Sequence, residues 1–310
     1  MNAAQSVFDA RSPGAQSILE LSWVMIAGGT AIMLLVIALT AYAVFAPHAR
    51  RQWLARASAI VAGGIAFPVV VLSALLVYGL FVADELIGER PDALRVEVIG
   101  EQWWWRVRYL DERGLARFET ANEIRLPAGR AVQLTLRSHD VIHSFWVPQL
   151  AGKMDMIPGQ ANRLTLQARD PGVYRGQCAE FCGGPHAMMA FYVVVHDEPD
   201  YRRWEARQLE PTQVPEDPWL RSGHDLFMAS GCSACHTIRG TPARGSNGPD
   251  LTRVGGRVSL AAGNFPVHQG TLAGWIANTQ RVKPGNYMPA FPVFLGAELR
   301  ALAAYLDSLQ

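Results

Sequence analysis

The sequence predicts a membrane-anchored, multi-domain chain: a two-helix transmembrane hairpin, an antiparallel β-sandwich and a small all-α domain. Three observations carry this prediction. Two long uncharged segments lie in the first quarter of the chain, strand-like alternation follows them, and helical periodicity returns near the C-terminus. Only 18% of the 310 residues are charged, against about 25% in typical soluble domains. The low charge therefore reflects membrane spans joined to ordinary folded domains.

The two uncharged segments, residues 21–46 and 57–83, form the hairpin. Each is longer than the roughly 20 apolar residues that cross a bilayer as a helix. The first is also too long for the apolar core of a signal peptide and lacks basic residues at its start. The loop between them carries three arginines and no acidic residue, and short loops of this kind stay in the cytoplasm. Both chain ends are therefore expected on the outer, periplasmic side.

The outer region divides into a sandwich, a linker and a helical module. Residues 92–197 contain four segments with period-two alternation, separated by Pro-Gly turns. Residues 198–218 are acidic and proline-rich, which predicts a short helix at 201–209 and then an extended linker. Residues 219–310 read as helical, with amphipathic segments near the end of the chain. Residues 1–91 are the N-terminal tail and the hairpin. The predicted strands cover residues 95–99, 132–136, 163–167 and 190–195, and the predicted C-terminal helices cover 271–279 and 297–309.

Charge and cysteine content exclude two classes of protein. The formal net charge is +1, from 28 basic and 27 acidic residues, so binding to nucleic acid through bulk positive charge is excluded. Four cysteines are too few for a disulfide-stapled scaffold in a chain of this length. The spacing of these cysteines is more informative than their number.

The first cysteine motif lies within the sandwich region. Cys178 and Cys182 are followed closely by His186 and Met189, and His143 lies upstream. Thiolate, imidazole and thioether are ligands for soft or borderline metals, copper above all. Two thiolates four residues apart can bridge two copper ions, with one imidazole for each ion. The motif therefore predicts a dinuclear copper site.

Two other interpretations of this motif were weighed. A disulfide between Cys178 and Cys182 would leave His186 and Met189 without a role at ligand-like spacing. A zinc site is disfavoured because zinc takes Cys, His and carboxylate ligands. Met188 is the alternative to Met189 as the thioether ligand.

The second cysteine motif is Cys232-Ser-Ala-Cys235-His236, the C-x-x-C-H signature of covalent haem attachment. The two thiols would bond to the haem vinyl groups, and His236 would bind the iron. Met288 is the candidate for the sixth ligand, and His/Met ligation raises the potential of a haem. Met228 is the rival, although it precedes the motif on a predicted helix. The remaining histidines are expected to be surface or strand-end residues: His139, His196, His224 and His268.

These motifs identify a resemblance to subunit II of the haem–copper cytochrome c oxidases. The resemblance extends over the two spans and the sandwich, and it includes Glu101-Gln-Trp-Trp-Trp105, His143-Ser-Phe-Trp-Val-Pro148 and Lys153-Met-Asp-Met-Ile-Pro-Gly159. The C-terminal module resembles small class I cytochromes c, as in the caa3-type oxidases. The sandwich is then expected to be cupredoxin-like and to hold the binuclear CuA centre. The ligands implied by the resemblance are His143, Cys178, Cys182, His186, Met189 and the backbone carbonyl of Glu180.

The resemblance also implies the function. A cytochrome c-type donor would reduce haem c, and electrons would pass through CuA, with Trp103 as the entry residue, to haem a in subunit I. Subunit I, with haem a3 and CuB, would reduce oxygen to water and pump protons. The Glu180 side chain would reach a magnesium ion shared with subunit I, and subunit III is a further expected partner. The expected location is the bacterial inner (plasma) membrane.

Two alternatives to this function remain. One is the CuA-containing subunit of a nitric oxide reductase, and the other is a stand-alone membrane-anchored electron carrier. The second span also departs from the family pattern, because residues 59–67 lack the glutamate that stands at the mouth of a proton path in many relatives. The entrance of such a path would then lie elsewhere.

Overall fold

The computed structural model describes residues 5–310 and begins with the two predicted hairpin helices. The first helix, α1 (Pro13–Phe45), starts at a Ser12 cap whose side chain accepts a hydrogen bond from the Ala15 amide. A short helix, α2 (His48–Arg51), lies in the loop. The second long helix is built from three consecutive pieces: α3 (Ala57–Val61), one π-helical turn over residues 62–66, and α4 (Phe67–Ile87).

Both long helices have the length and composition of membrane spans. They cover 33 and 31 residues with mean hydropathies of 2.3 and 2.6, and none of the most apolar stretch of either is buried within the chain. Each extends beyond its uncharged segment, to Pro13 at one end and Ile87 at the other. These added turns are polar, and Ser17 of α1 donates a hydrogen bond to Glu85 of α4 at 2.8 Å. The predicted hairpin is confirmed.

The sandwich is formed by two five-stranded sheets. One sheet has the order β3-β2-β1-β5-β8, and the other has the order β4-β10-β9-β6-β7. The strands are β1 (Leu94–Glu101), β2 (Trp104–Leu110), β3 (Ala116–Ala121), β4 (Glu123–Pro127), β5 (Val132–Ser138), β6 (His143–Trp146), β7 (Met154–Met156), β8 (Asn162–Leu166), β9 (Gly172–Cys178) and β10 (Ala190–His196). All four strand segments predicted from alternation are present.

The sequence predicts a purely antiparallel sandwich, but two of the strand pairs are parallel. β1 pairs in parallel with β5, and β10 pairs in parallel with β4, while the other pairs are antiparallel. Period-two alternation reports which face of a strand is buried, and it carries no information on strand direction. Both parallel pairs join strands that are distant in the sequence, so no hairpin turn signals them.

A buried aromatic cluster joins the two sheets directly beneath the cysteine loop. The Trp105 ring packs edge-on against Phe145 and Phe191, with centroids 6.0 and 5.0 Å away. Trp105 also lies against the His143 ring at 6.2 Å. Edge-to-face packing of this kind adds to the stabilisation from burial. The strands that carry His143 and Cys178, β6 and β9, are therefore supported by a tightly packed core.

The C-terminal part of the chain is helical, as predicted. It contains α5 (Glu198–Leu209), α6 (Pro218–Ala229), α7 (Gln269–Ala277), α8 (Thr279–Val282) and α9 (Gly296–Ser308). The predicted linker helix, α5, is more than a connector, because Tyr201 and Trp204 are buried in the sandwich core. The expectation that His224 lies on the surface is wrong. Its ring is buried on α6 and packs edge-on against Tyr305 of α9.

The C-terminal helical domain (residues 219–310) packs directly against the sandwich domain (residues 92–197). Side chains of β2 and β4 donate to its backbone: Arg106 to the Ser246 carbonyl and Arg125 to the Gly256 carbonyl, both at 2.7 Å. At the cysteine loop the Ala190 amide donates to the Ala262 carbonyl at 3.0 Å. The two domains therefore meet on the side of the sandwich that carries the cysteine loop.

Candidate metal centre and haem site

Cys178 and Cys182 lie together on the loop that joins β9 to β10. Cys178 is the last residue of β9, and its amide donates to the Met189 carbonyl at 2.9 Å, which closes the base of the loop. Both thiols are free and nearly fully buried, and the two Sγ atoms are 3.8 Å apart. A disulfide has an S–S distance of about 2.05 Å. The structure therefore contains two thiols side by side and no cystine at this pair.

Each thiol faces its own imidazole. His143 Nδ1 lies 3.8 Å from Cys178 Sγ, and His186 Nδ1 lies 3.4 Å from Cys182 Sγ. The ligand atoms of His143, Cys178 and Cys182 all lie within 4.8 Å of one another. His143 comes from β6 and His186 from the turn before β10, so two separate segments supply the two imidazoles. The cluster therefore consists of two thiol–imidazole pairs side by side.

Two further donors complete the cluster. Met189 Sδ lies 3.8 Å from Cys182 Sγ, and the Glu180 carbonyl oxygen lies 3.2 Å from Cys178 Sγ. Met189 is buried, whereas Met188 is half-buried and its carbonyl accepts a hydrogen bond from Asn264. The structure therefore brings together all six donor groups predicted from the sequence.

The chemistry of the two thiols suits a metal more than a free dithiol. Hydrogen bonding from Cys182 lowers the pKa of Cys178 to about 4 despite burial, and the same contact raises the pKa of Cys182. Metals bind the thiolate form of cysteine, so metal binding at this pair releases protons and depends on pH.

Asp140 orients His143 and was not identified from the sequence. Its carboxylate lies 2.8 Å from His143 Nε2 and also accepts hydrogen bonds from the backbone amides of Gln102 and Val141. When the Nε2–H group donates this hydrogen bond to Asp140, the Nδ1 atom presents its lone pair to the cluster. A carboxylate behind a ligand imidazole in this way fixes its tautomer and raises its basicity. The Asp-x-x-His spacing was the only available signal.

Trp103 is in hydrogen-bond contact with the cysteine loop. Its indole Nε1 donates to the Cys182 carbonyl at 2.9 Å, and the side-chain Nε2 of Gln102 donates to the same oxygen at 2.8 Å. Gly183 follows with φ +110°, and a Cβ there would lie 3.1 Å from the Trp103 ring. Glycine is needed at this position for both reasons. Of the three consecutive tryptophans, Trp103 and Trp105 are buried, as alternation predicts.

The outer face of Trp103 is covered by the C-terminal helical domain. The Tyr287 ring stacks on it with centroids 5.8 Å apart and an interplanar angle of 26°. Tyr287 also donates through its hydroxyl to Gln102 at 3.1 Å. Lys283 of the same loop donates to the Trp103 carbonyl at 2.6 Å. No role was assigned to Tyr287 or Lys283 from the sequence, although Tyr287 directly precedes the candidate haem ligand Met288.

The C-x-x-C-H motif is arranged for a haem. Cys232 and Cys235 are free thiols on a 3₁₀ turn, Cys235 exposed and Cys232 half-buried. His236 is buried, and its Nδ1 lies 2.8 Å from the Pro249 carbonyl, which leaves Nε2 for iron. Burial lowers the pKa of His236, so the imidazole is neutral and able to bind a metal. Gly248 allows this packing, because a Cβ there would lie 2.6 Å from the ring.

Met288 and Met228 both pack against the core of the helical domain. Met288 lies on a loop held by Asn286, which accepts from its amide, and by Thr279, which donates to its carbonyl at 2.7 Å. Met228 lies on α6, immediately before the haem motif.

The Glu180 side chain points away from the sulfur cluster. Its carboxylate accepts from the Phe181 amide at 3.3 Å and lies 3.8 Å from Lys153 Nζ. Lys153 is in turn 3.7 Å from Asp155. Two exposed carboxylates thus lie near each other, with a lysine between them.

Comparisons with known proteins agree with this geometry in two separate regions. Residues 110–196 match the profile of the cytochrome c oxidase subunit II periplasmic domain, and residues 220–310 match the cytochrome c profile. Cytochrome c oxidase subunit 2 of Alkalihalophilus pseudofirmus is 35% identical over 227 residues, which cover 73% of this chain and 64% of that protein. The subunit 2 of Bacillus subtilis is 29% identical over 229 residues, covering 71% and 63%. The chain thus spans just under two thirds of the length of these relatives.

A solved structure is also similar. It is the crystal structure of the periplasmic domain of subunit II of cytochrome oxidase from Bradyrhizobium japonicum. It is 28% identical with a TM-score of 0.36, and the alignment covers 39% of this chain and 95% of that chain.

Proposed function

We propose that the chain is the electron-entry subunit of a caa3-type cytochrome c oxidase. Two helices with the length of membrane spans come first in the chain. A region that matches the periplasmic domain of cytochrome c oxidase subunit II follows them, and a region that matches cytochrome c comes last. The observation that carries the proposal is the pair of unbonded thiols, each facing its own imidazole, in the part of the chain that matches the oxidase family. A mononuclear blue-copper site has one thiolate, and a second adjacent thiolate is suited to bridging two ions.

The proposed cofactors are a binuclear CuA centre and a covalent haem c, which supply one-electron transfer when bound. The CuA ligands would be His143, Cys178, Cys182, His186, Met189 and the Glu180 carbonyl. The haem ligands and attachment sites would be Cys232, Cys235, His236 and Met288. Gln102 and Trp103 hold the cysteine loop by donating hydrogen bonds to the Cys182 carbonyl. This restraint would limit movement of the copper ligands when the redox state changes.

Trp103 and Tyr287 support a route between the two cofactors. Tyr287 precedes the proposed haem ligand Met288 and stacks on Trp103, and Trp103 donates to the carbonyl of the copper ligand Cys182. A continuous series of contacts therefore joins the two sites. The family resemblance assigns electron entry into the copper centre to Trp103. Because Tyr287 covers the outer face of Trp103, the fused haem is the proposed direct donor to Trp103.

The remaining parts of the proposal concern partners. We propose that electrons leave the copper centre for haem a in subunit I, where haem a3 and CuB reduce oxygen with proton pumping, and that subunit III accompanies it. The Glu180 side chain is the proposed carboxylate near a magnesium ion shared with subunit I, since hard cations prefer oxygen ligands. The proposed location is the bacterial inner membrane, which the chain crosses twice, with the sandwich and the helical domain on the periplasmic side.

The function is tested by purifying the membrane complex through this chain and measuring gas consumption with a reduced c-type donor. Consumption of oxygen, with negligible consumption of nitric oxide, is the expected result. Consumption of nitric oxide instead would assign the chain to a nitric oxide reductase. Isolation of the loaded chain without a haem-containing partner would assign it to the stand-alone carriers.

Removing the carboxylate behind His143 is expected to weaken copper binding. Asp140→Ala leaves every proposed ligand in place but frees the imidazole to rotate, and loss of such a partner lowers metal affinity by about 10- to 100-fold. The measurement is a competition titration of copper against a chelator. Asp170→Ala, at an exposed carboxylate remote from the cluster, is the matched control. Equal copper affinity in the two variants would contradict the orienting role of Asp140.

Replacing Met288 is expected to change the spin state of the haem. Met288→Ala removes the proposed sixth ligand, so the optical spectrum of the oxidised haem should shift towards high spin. Met228→Ala is the matched control, because both methionines pack against the same core. A low-spin spectrum in Met288→Ala together with a high-spin spectrum in Met228→Ala would transfer the ligand role to Met228.

A further inference from the structure

Lys283 is a buried amine at the junction of the two outer domains. The chain has two lysines, and they differ sharply in environment. The Lys153 side chain is 52% exposed, whereas Lys283 is 3% exposed. Burying an ammonium group is costly unless hydrogen bonds replace the lost water. The position of Lys283 therefore requires compensating partners.

The partners of Lys283 lie on both sides of the junction. Its Nζ donates to the carbonyls of Trp103 at 2.6 Å and Met188 at 2.9 Å, both in the sandwich domain. A longer contact of 3.4 Å reaches the Ala261 carbonyl of its own domain. Trp103 donates a hydrogen bond to the Cys182 carbonyl, and Met188 lies on the cysteine loop itself. The Lys283 side chain thus links the helical domain both to Trp103 and to the cysteine loop.

Tyr287 makes a second contact four residues along the same loop. Its ring stacks on Trp103, and its hydroxyl donates to Gln102, which itself donates to the Cys182 carbonyl. The backbone between the two contacts is also close, because a Cβ at Gly285 would lie 3.9 Å from the Trp103 ring. The loop therefore meets Trp103 through an amine, a glycine backbone and an aromatic ring.

We propose that Lys283 and Tyr287 are positioning residues that dock the Met288 loop of the haem domain onto Trp103 and hold the fused haem in register with the copper centre. The inference rests on the proposed function, since it assigns a role to residues between its two cofactors. Lys283 fixes the backbone of Trp103, and Tyr287 fixes its ring. The partner for which the Trp103 surface is built is then the chain's own haem domain.

The two lysines allow this docking to be measured directly. Acetylation of the full, copper- and haem-loaded chain with an amine-reactive reagent, followed by peptide mass spectrometry, reports the accessibility of each lysine. Lys153 is expected to react rapidly and Lys283 to be protected. Tyr287→Ala is expected to raise the labelling rate of Lys283 while leaving that of Lys153 unchanged. Equal labelling of the two lysines in the unaltered protein would overturn the proposal.

A substitution at Lys283 tests the consequence for electron transfer. Lys283→Met keeps the length of the side chain and removes all three hydrogen bonds, leaving the carbonyls of Trp103 and Met188 without this donor. We expect haem-to-copper transfer, followed by time-resolved absorption after an electron is injected into the haem, to slow by about tenfold. Arg281→Met is the matched control, because it removes an exposed positive charge two residues away.

The readouts separate a positioning role from general damage. Lys283→Met should keep the optical spectrum of the haem and the copper signal unchanged while the transfer rate falls. An unchanged rate in Lys283→Met, with the control also unchanged, would overturn the proposal. If Lys283→Met fails to fold, the labelling of the unaltered protein still decides. Absence of haem or paired copper in that protein would instead defeat the proposed function.

Discussion

Replacing Cys182 with serine is expected to leave at most one copper ion per chain and to abolish electron delivery through this subunit. The Cys182 Sγ lies next to three of the other proposed donors: Cys178 Sγ at 3.8 Å, His186 Nδ1 at 3.4 Å and Met189 Sδ at 3.8 Å. Serine keeps the shape of the side chain but offers a poor ligand for a soft metal. The other five proposed donors remain, but Cys178 is then the single thiolate of the cluster, as in a mononuclear site. Metal analysis of the purified protein gives the copper content.

Cys235→Ser is the control for this experiment. It removes one thiol from the chain at the haem motif and leaves the sandwich domain intact, so copper content should equal that of the unaltered protein. Two coppers in Cys182→Ser would contradict the bridging role of this sulfur. Complete loss of copper remains consistent with it, because the bridges hold both ions.

Removing the Trp103 ring is expected to give the second largest effect. Trp103→Leu removes both the hydrogen bond to the Cys182 carbonyl and the ring on which Tyr287 stacks. Aromatic pairs of this kind contribute about 0.5–1.5 kcal/mol beyond burial, so the docked population alone falls by up to about tenfold. Loss of the contact series between the cofactors slows haem-to-copper transfer further. The transfer rate after injection of an electron into the haem is the measurement.

Trp219→Leu is the matched control, because Trp219 is an exposed tryptophan near the start of α6. Its haem-to-copper rate should be close to that of the unaltered protein. Trp103→Phe should fall between the two, since it keeps a ring for Tyr287 but loses the indole donor. A Trp103→Leu protein that transfers electrons at the unaltered rate would exclude Trp103 from the route.

Most of the local structure was predictable from the sequence because its causes are local. The uncharged spans, the period-two strands and the C-terminal helices each follow from the spacing of apolar side chains. The proposed copper site was equally predictable, since five of its six donors lie on the cysteine loop between Cys178 and Met189. His143 was identified through its surrounding motif, and its partner Asp140 was missed, although it lies only three residues upstream. Carboxylates near histidines are too common for that spacing to be informative.

The features that were missed depend on contacts between distant segments. The parallel pairing of β1 with β5, and of β4 with β10, leaves no trace in the alternation of either strand. Lys283 meets Trp103 across 180 residues, and Tyr287 meets Gln102 across 185. Tyr287 directly precedes Met288, but that position does not indicate a contact with the sandwich, and Lys283 belongs to no motif. His224 was placed wrongly for the same reason, because its burial is due to packing against Tyr305 of α9.

The central claim is that Cys178 and Cys182 bridge two copper ions. The most direct test is electron paramagnetic resonance of the oxidised, metal-loaded full chain. The account predicts the hyperfine pattern of one unpaired electron shared equally by two copper nuclei. A pattern from a single copper nucleus, or a cystine linking residues 178 and 182 in the same metal-loaded sample, would contradict it.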